Sequence, residues 1–288
     1  DLECTPCIIR QTLNTLKVCD CDSKISEEVI REVLKKLKKI DYDDSPACNS
    51  NIAYHTFSDI TGIDDPYHDV KIKYNKVAMK LYSKLEEIVK DSTDRLYAAA
   101  KIAIAGNVID FGVHLSKGRT LNLEDVINEI KEIPLAHDDF HIFADDLKKA
   151  DKIFYIADNA GEIVFDRIFI NQIIRTGKRV ILAVKSGPII NDVTIDDAIQ
   201  VKLDSLVKII ETGNNCIGIN FKLASEEFLK EFESADMIIG KGHGNYETLD
   251  EVEGKNIFFL LKAKCEKIAR ELGVKYLDIV FKQSEYYK

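Results

Sequence analysis

Residues 158–162, Asp158-Asn159-Ala160-Gly161-Glu162, set a carboxylate, an amide and a glycine directly after the apolar run 153–157. Five apolar residues suffice for a strand buried on both faces and are too few for a helix. Beyond them Ile163, Val164, Ile168, Ile173 and Ile174 recur at about one turn, which predicts a helix. Asp158 and Asn159 are therefore expected at the carboxyl end of a buried strand, the edge where open α/β sheets bind ligands. The start of the following helix favours phosphate or another anion. A carboxylate beside an amide oxygen also suits a hard ion such as Mg²⁺ or Mn²⁺. Helix capping alone would account for one polar residue, and this turn carries more.

Other loops repeat the arrangement. Lys185-Ser186-Gly187-Pro188-Ile189-Ile190-Asn191-Asp192 follows the run 179–184, Lys241-Gly242-His243-Gly244-Asn245 follows 236–240, and Lys262-Ala263-Lys264-Cys265 follows 256–261. In a parallel sheet these loops share one edge, and their convergence says more than any one of them. Gly240, Gly242 and Gly244 permit close backbone approach to a ligand. Their spacing is neither a Walker A loop nor a dinucleotide fingerprint, which argues against a nicotinamide enzyme. Aspartyl-phosphate phosphatases place a second Asp two residues after the nucleophile; here that position is Ala160, which argues against a phospho-aspartate route. Cys4-Thr-Pro-Cys7 is a single CxxC pair, and Cys19 and Cys21 do not repeat its spacing, so a zinc finger is not indicated. His137 and His141 would face one way on a helix, but no third His lies near, and they read as surface residues.

The elements that must position these loops fall into two kinds. The N-terminal part reads as helices: one after Cys7 with Ile8, Ile9, Leu13 and Leu16, one from Ser26, a short segment over 52–60, and a long amphipathic helix opened by Pro66 with Val70, Val77, Leu81, Leu85 and Ile88. Residues 93–109 leave little polar face and predict a buried helix, ending in Gly106-Asn107-Val108-Ile109-Asp110. From Asp151 strand-like runs alternate with helical stretches, the pattern of a parallel sheet with right-handed crossovers. The expectation is an α/β protein, with a helical N-terminal domain over 1–148 and a Rossmann-like core over 149–288.

The chain has 288 residues, 45% hydrophobic and 31% charged, ordinary values for a globular protein with a full core. A formal charge of −9 argues against general nucleic-acid binding, so an anionic substrate requires local positive charge or a metal. No apolar run approaches membrane-spanning length, and residue 1 is Asp with no secretory h-region after it. Seven cysteines, an odd number, read as reduced thiols or ligands, and a cytoplasmic location is expected.

Taken together, Cys4-x-x-Cys7, Gly106-Asn107-x-Ile109-Asp110, Asp158-Asn159-Ala160-Gly161-Glu162, Asn191-Asp192, Lys241-Gly242-x-Gly244-Asn245 and Lys264-Cys265 resemble the metal-dependent damage-control phosphatases, in the prokaryotic branch marked by CxxC, GNxID and KC motifs. The resemblance covers nearly the whole chain. It implies a helical N-terminal part on a three-layer α/β/α core with a mainly parallel sheet. It also implies hydrolysis of phosphate monoesters of small metabolites, such as sugar phosphates or damaged nucleotides. Asp158, Asn159 and Asp192 would hold a divalent ion (Mn²⁺, Co²⁺, Ni²⁺ or Mg²⁺), with Asp158, Asp192 and Lys262 the catalytic groups. Lys262 and Lys241 would offset phosphoryl charge. The turn with Gly161 and Glu162, and Gly242, Gly244 and Asn245, would cradle the oxygens, while Asn107 and Asp110 contact the leaving group. Cys4, Cys7 and Cys265, with Lys264 favouring the thiolate, would share a site near the sheet edge. Two other readings stand: an S-adenosylmethionine-dependent carboxyl methyltransferase, for which the first loop is poor in glycine, and a non-catalytic metabolite or redox sensor. Neither the physiological substrate nor the oligomeric state can be read from the chain.

Overall fold

The computed structural model describes residues 2–106 and 134–287. Asn107 and Asp110 lie outside the described residues.

Helices come first: α1 (Cys4–Val18), α2 (Ser23–Leu37), α3 (Pro46–Thr61), α4 (His68–Met79), α5 (Tyr82–Asp91) and α6 (Arg95–Gly106). Asp22 starts α2 by accepting from the Lys24 and Ile25 N–H groups at 2.8 and 2.9 Å, three residues before the expected start at Ser26. Ser45 caps α3, Pro46 occupies its first turn, and Gly62 closes it with φ of +71°. The single long helix expected from Pro66 is two, α4 and α5. Leu81 lies at the join and stays buried with Ala78 and Leu85, so the apolar period runs unbroken through a bend in the backbone.

The rest alternates: β1 (Leu135–Asp138), α7 (Phe140–Lys149), β2 (Lys152–Ile156), α8 (Glu162–Arg175), β3 (Arg179–Val184), α9 (Ile195–Gln200), β4 (Lys208–Glu211), α10 (Glu226–Glu233), β5 (Met237–Lys241), α11 (His243–Leu249), β6 (Ile257–Lys262), α12 (Glu266–Glu271) and β7 (Ile279–Gln283). The sheet runs β1-β7-β6-β5-β2-β3-β4. Its neighbours are parallel except β6 and β7, which pair antiparallel from Phe258↔Gln283 to Lys262↔Ile279. Strand β1 pairs with β7, so the sheet draws on residues N-terminal to the boundary expected at 148/149.

Side-chain alternation sorts the strands onto two layers. Ile153, Tyr155, Ile239, Phe258 and Leu260 face one cluster with α6, α7 and α8; Phe154, Ile156, Ile238, Phe259 and Leu261 face the other with α10, α11 and α12. In the first layer Phe143 of α7 is fully buried, its ring 5.6, 5.3 and 5.3 Å from Phe169, Phe258 and Phe281. Burying such a side chain contributes about 1.5–3 kcal/mol. The alanine face of α6 (Ala99, Ala100, Ala103) lies against α8, and Gly106 continues it: a Cβ there would sit 3.0 Å from Glu162 Cγ. Helices α1, α2 and α3 form a third cluster that includes Ile8, Val29, Phe57 and Ile189, with Ile190 and Ile217 packed against it. That bundle thus rests on loops at the carboxyl edge of the sheet. His137 and His141 share no helix: His137 is on β1, 2.9 Å from Asp139, and His141 is exposed on α7.

Candidate active site

Strand β2 ends at Ile156, and the loop after it zips onto the loop after β3. Val193 N–H donates to Asp158 O at 2.9 Å and Ala160 N–H to Asn191 O at 2.8 Å, while Asn159 and Asp192 form an antiparallel bridge. Backbone pairing therefore brings two carboxylates and an amide together. Ile190 reaches Asn191 and Asp192 through φ of +47°, a left-handed conformation that a β-branched residue adopts at a cost of about 1–3 kcal/mol. Packing of Ile189 and Ile190 on the helical bundle opposes that cost, which links the N-terminal helices to the position of Asp192.

The carboxylates strain against each other. Burial first, then the charges of Glu162 and Asp192, hold the Asp158 carboxyl well above its usual range, offset by Lys264 and Lys241. Burial likewise pushes Asp192 up to about 6, against the pull of Lys185 and Lys71. Asn159 Nδ2 donates to Asp158 Oδ2 at 2.6 Å. Gly242, with φ of +79°, lies directly against this carboxylate: a Cβ would fall 1.9 Å from Asp158 Oδ2. Only glycine fits both the backbone angle and the space.

Around this centre opens a cleft of about 400 Å³ lined by Asp158, Asn159, Asn191, Asp192, Gly244 and Asn245. Its far wall carries Cys4, Cys7, His243, Glu247, Lys264 and Cys265. Asn245 Nδ2 donates to Ala157 O at 3.0 Å and Lys241 O at 2.7 Å, which fixes the amide orientation and leaves its buried Oδ1 without a partner. A ligand hydroxyl or bound water would satisfy that oxygen. Lys185, at the end of β3, points its ammonium at Gly218 O and lies 3.8 Å from Asp192 Oδ2.

Several expected positions lie elsewhere. Lys241 is 0% exposed and does not line the cleft: its ammonium donates to Ala103 O at 3.0 Å, Glu162 Oε1 at 2.6 Å and Asp166 Oδ1 at 2.5 Å. With all three N–H bonds engaged it has none for a phosphate. Glu162 is held in the same lock, and Tyr155 OH adds a 2.7 Å bond to Asp166 Oδ1. The turn after β2 is not an open anion cradle either. Ala160 N–H goes to Asn191 O, and Gly161 N–H to Asn75 Oδ1 at 2.7 Å. Lys262 ends β6 in register with Phe258 and Leu260 on the face of the first layer, and it is not among the described residues that line the cleft. Lys264, expected beside the thiols, does line it.

Asn75 escaped the sequence reading, which named Lys185 only as part of its loop. Asn75 of α4 also donates to Asp197 Oδ1 at 3.0 Å and to Gln200 at 2.8 Å, while Lys71 lies 3.4 Å from Asp197 and 3.0 Å from Asp65. A polar side chain recurring on the buried face of an amphipathic helix was the available signal.

The donor set fits a divalent ion. Two carboxylates and an amide oxygen are hard ligands, and the burial that raises both carboxyls would be offset by a bound cation. Among the described residues no three His, Cys, Asp or Glu side chains are arranged as metal ligands.

Comparison with known proteins gives a consistent result. A family model described as the damage-control phosphatase ARMT1-like domain matches residues 1–280. The chain is 37% identical over 275 residues to the damage-control phosphatase PH1575 of Pyrococcus horikoshii, covering 94% of this chain and 93% of that one. It is 32% identical to a damage-control phosphatase of Archaeoglobus fulgidus, covering 98% of each. The crystal structure of PH1575, described as a DUF89 family protein, superposes with a TM-score of 0.91 at 34% identity over 99% of both chains.

Proposed function

The chain belongs to the ARMT1-like damage-control phosphatases, and from that premise we infer that the cleft at the carboxyl edge of the sheet is a metal-dependent phosphatase site for phosphate monoesters of small metabolites. The observation that carries this reading is the backbone zip that delivers Asp158, Asn159 and Asp192 to one wall of that cleft. Asp158, Asn159 and Asp192 would hold the ion. When bound, such an ion polarises a phosphoryl oxygen and lowers the pKa of a bound water.

The chain's own groups supply the rest. Lys264, at the cleft, is the cation that offsets charge on the phosphoryl group, the role expected of Lys241 and Lys262, while Lys185, buried beside Asp192, positions that carboxylate. Gly244 brings backbone close to the substrate, and Asn245 Oδ1 accepts from a ligand hydroxyl. Lys241, Glu162 and Asp166 fix the start of α8 behind the site and touch no substrate. Asn75, holding Gly161, is a positioning residue. A cleft of about 400 Å³ suits a sugar phosphate or nucleotide. No helix among the described residues is long and apolar enough to cross a membrane, and seven free cysteines support a reducing, cytoplasmic setting.

The test is phosphate release from a generic aryl phosphate, with and without Mn²⁺, Co²⁺, Ni²⁺ or Mg²⁺ after chelation. Metal-dependent release that Asp158→Ala and Asp192→Ala abolish supports the reading. Equal release by either variant and the wild type at saturating metal overturns it. A screen of sugar phosphates and damaged nucleotides then identifies the substrate.

A further inference from the structure

The far wall of the cleft holds chemistry that phosphate hydrolysis does not use. Cys4 and Cys7 come from α1, Cys265 from the loop after β6, and His243 and Glu247 from α11, so three separated segments meet at one opening. Cys265 Sγ is 3.7 Å from His243 Nε2 and accepts the Ile268 N–H at 3.5 Å. His243 Nε2 is also 3.3 Å from Glu247 Oε1. The cysteines are electrostatically unequal. Although burial raises the Cys265 thiol, the His243 contact and the Ile268 N–H outweigh it and lower it below the ordinary value. Burial raises Cys4 and Cys7 instead, and each feels the charge of Cys265. One thiol is set up to ionise while its neighbours stay protonated, the pairing of an attacking and a resolving cysteine.

We propose that Cys265 is a peroxide-reactive thiol, oriented by His243 and Glu247, which resolves onto Cys4 or Cys7 to form a disulfide across the mouth of the phosphatase cleft. In the first step the Cys265 thiolate attacks one peroxide oxygen; the O–O bond breaks, hydroxide leaves and is protonated by solvent, and sulfur becomes a sulfenic acid. In the second, the thiol of Cys4 or Cys7 attacks that sulfur. The S–S bond forms, the S–O bond breaks, and water leaves with the thiol proton. Peroxide takes up the two electrons that the thiol pair loses. The disulfide ties α1 to the β6 loop beside Lys264 and narrows access to Asp158. A structural zinc site would use similar residues, but no metal-ligand cluster of His, Cys, Asp or Glu is arranged among the described residues.

The experiment uses the full chain, reduced and then freed of reductant, treated with hydrogen peroxide and mapped by mass spectrometry. The expected product is a Cys265 peptide cross-linked to the peptide carrying Cys4 and Cys7, lighter by two hydrogen atoms and released by dithiothreitol. Cys4→Ser/Cys7→Ser should stop at the sulfenic acid, trapped by dimedone on Cys265. His243→Gln should slow that labelling while leaving the protein folded. Oxidation confined to Cys19 and Cys21, a cross-link that survives Cys265→Ser, or cysteines shielded from alkylation until a chelator removes zinc would each overturn the proposal. The effect on activity rests on the phosphatase reading: aryl-phosphate hydrolysis should fall roughly tenfold or more on oxidation and return on reduction, since small displacements at a reacting centre are costly. Peptide mapping decides the disulfide even if no phosphatase activity is found, so the two readings fail separately.

Discussion

Two carboxylate clusters lie close behind one another at the carboxyl edge of the sheet, and they are built on opposite plans. In the inner one, Glu162 and Asp166 converge on the Lys241 ammonium, with Tyr155 and Ala103 completing the bonds, and the ion pairs are sealed from water. In the outer one, Asp158 and Asp192 are brought together by backbone pairing; burial and the charges of Glu162 and Asp192 raise the Asp158 carboxyl, while burial raises Asp192 against the partial offset of Lys185 and Lys71. A cluster gathered on its own lysine is a fastener, even though Asp166 Oδ2 stays buried without a partner and burial pushes that carboxyl up to about 7. A cluster that concentrates negative charge at the lip of a cleft is prepared for a cation from outside. Sequence alone presents both as Asp, Glu, Lys and Gly residues just beyond strand ends, and only the geometry separates them.

Breaking the fastener should give the largest effect. Lys241→Met leaves two buried carboxylates uncompensated and is expected to cost about 3–5 kcal/mol of stability, seen as a lower urea midpoint. Turnover per folded molecule should change far less. A stable variant that has lost only turnover would move Lys241 into the phosphate site and erase the distinction.

Asp158→Ala should behave in the opposite sense. It removes charge from a site that is electrostatically crowded without its ion, so the metal-free protein should melt no lower than the wild type. Turnover should fall at least about a hundredfold, or roughly 2.7 kcal/mol. A matched pair of urea melts and rate assays on Lys241→Met and Asp158→Ala is the direct comparison.

Gly242→Ala comes next, because the added methyl would collide with Asp158 Oδ2. Metal affinity, read by calorimetric titration, should weaken by about tenfold, in line with changes behind ligating side chains. Unchanged affinity would mean that Asp158 has room to move and is not a fixed ligand. The smallest effect is assigned to Asn75→Ala, which leaves the Gly161 N–H and Asp197 short of a partner. It should lower stability by about 1–3 kcal/mol and raise KM or lower kcat only modestly. An intact urea midpoint would show that water replaces Asn75 without loss.

Strands β2, β3, β5 and β6 were legible because each is an apolar run buried on both faces. The others are short or half polar: β4 is Lys-Ile-Ile-Glu at an edge, β1 is Leu-Ala-His-Asp at the opposite edge, and β7 ends in Lys-Gln. Edge strands face water on one side and lose the continuous hydrophobic signature. That the loops share one edge followed from reading the strands as parallel, and Asp158, Asn159, Asp192, Asn245, Lys264 and Cys265 of those loops line the cleft. What local sequence could not reveal is pairing across distance: Lys241 with Glu162 and Asp166, or Asn75 with Gly161. A lysine after a strand looks the same whether it greets a substrate or is locked to a helix, and the choice is made by residues far away in the chain.

The placement of β7 bears on how the protein is made. Among the described residues β1 joins the sheet through β7 alone, and β7 follows every other strand of that sheet in the chain. At about 5–20 residues per second, β1 and α7 are complete roughly 7–30 seconds before their partner exists. During that interval the aromatic face of Phe143 has no Phe281 to cover it, and in its final part, once β6 has been made, the edge of β6 stands open as well. A nascent chain stalled short of residue 279 would therefore carry a nearly finished cleft on an unfinished sheet, and that species is a natural client for a chaperone.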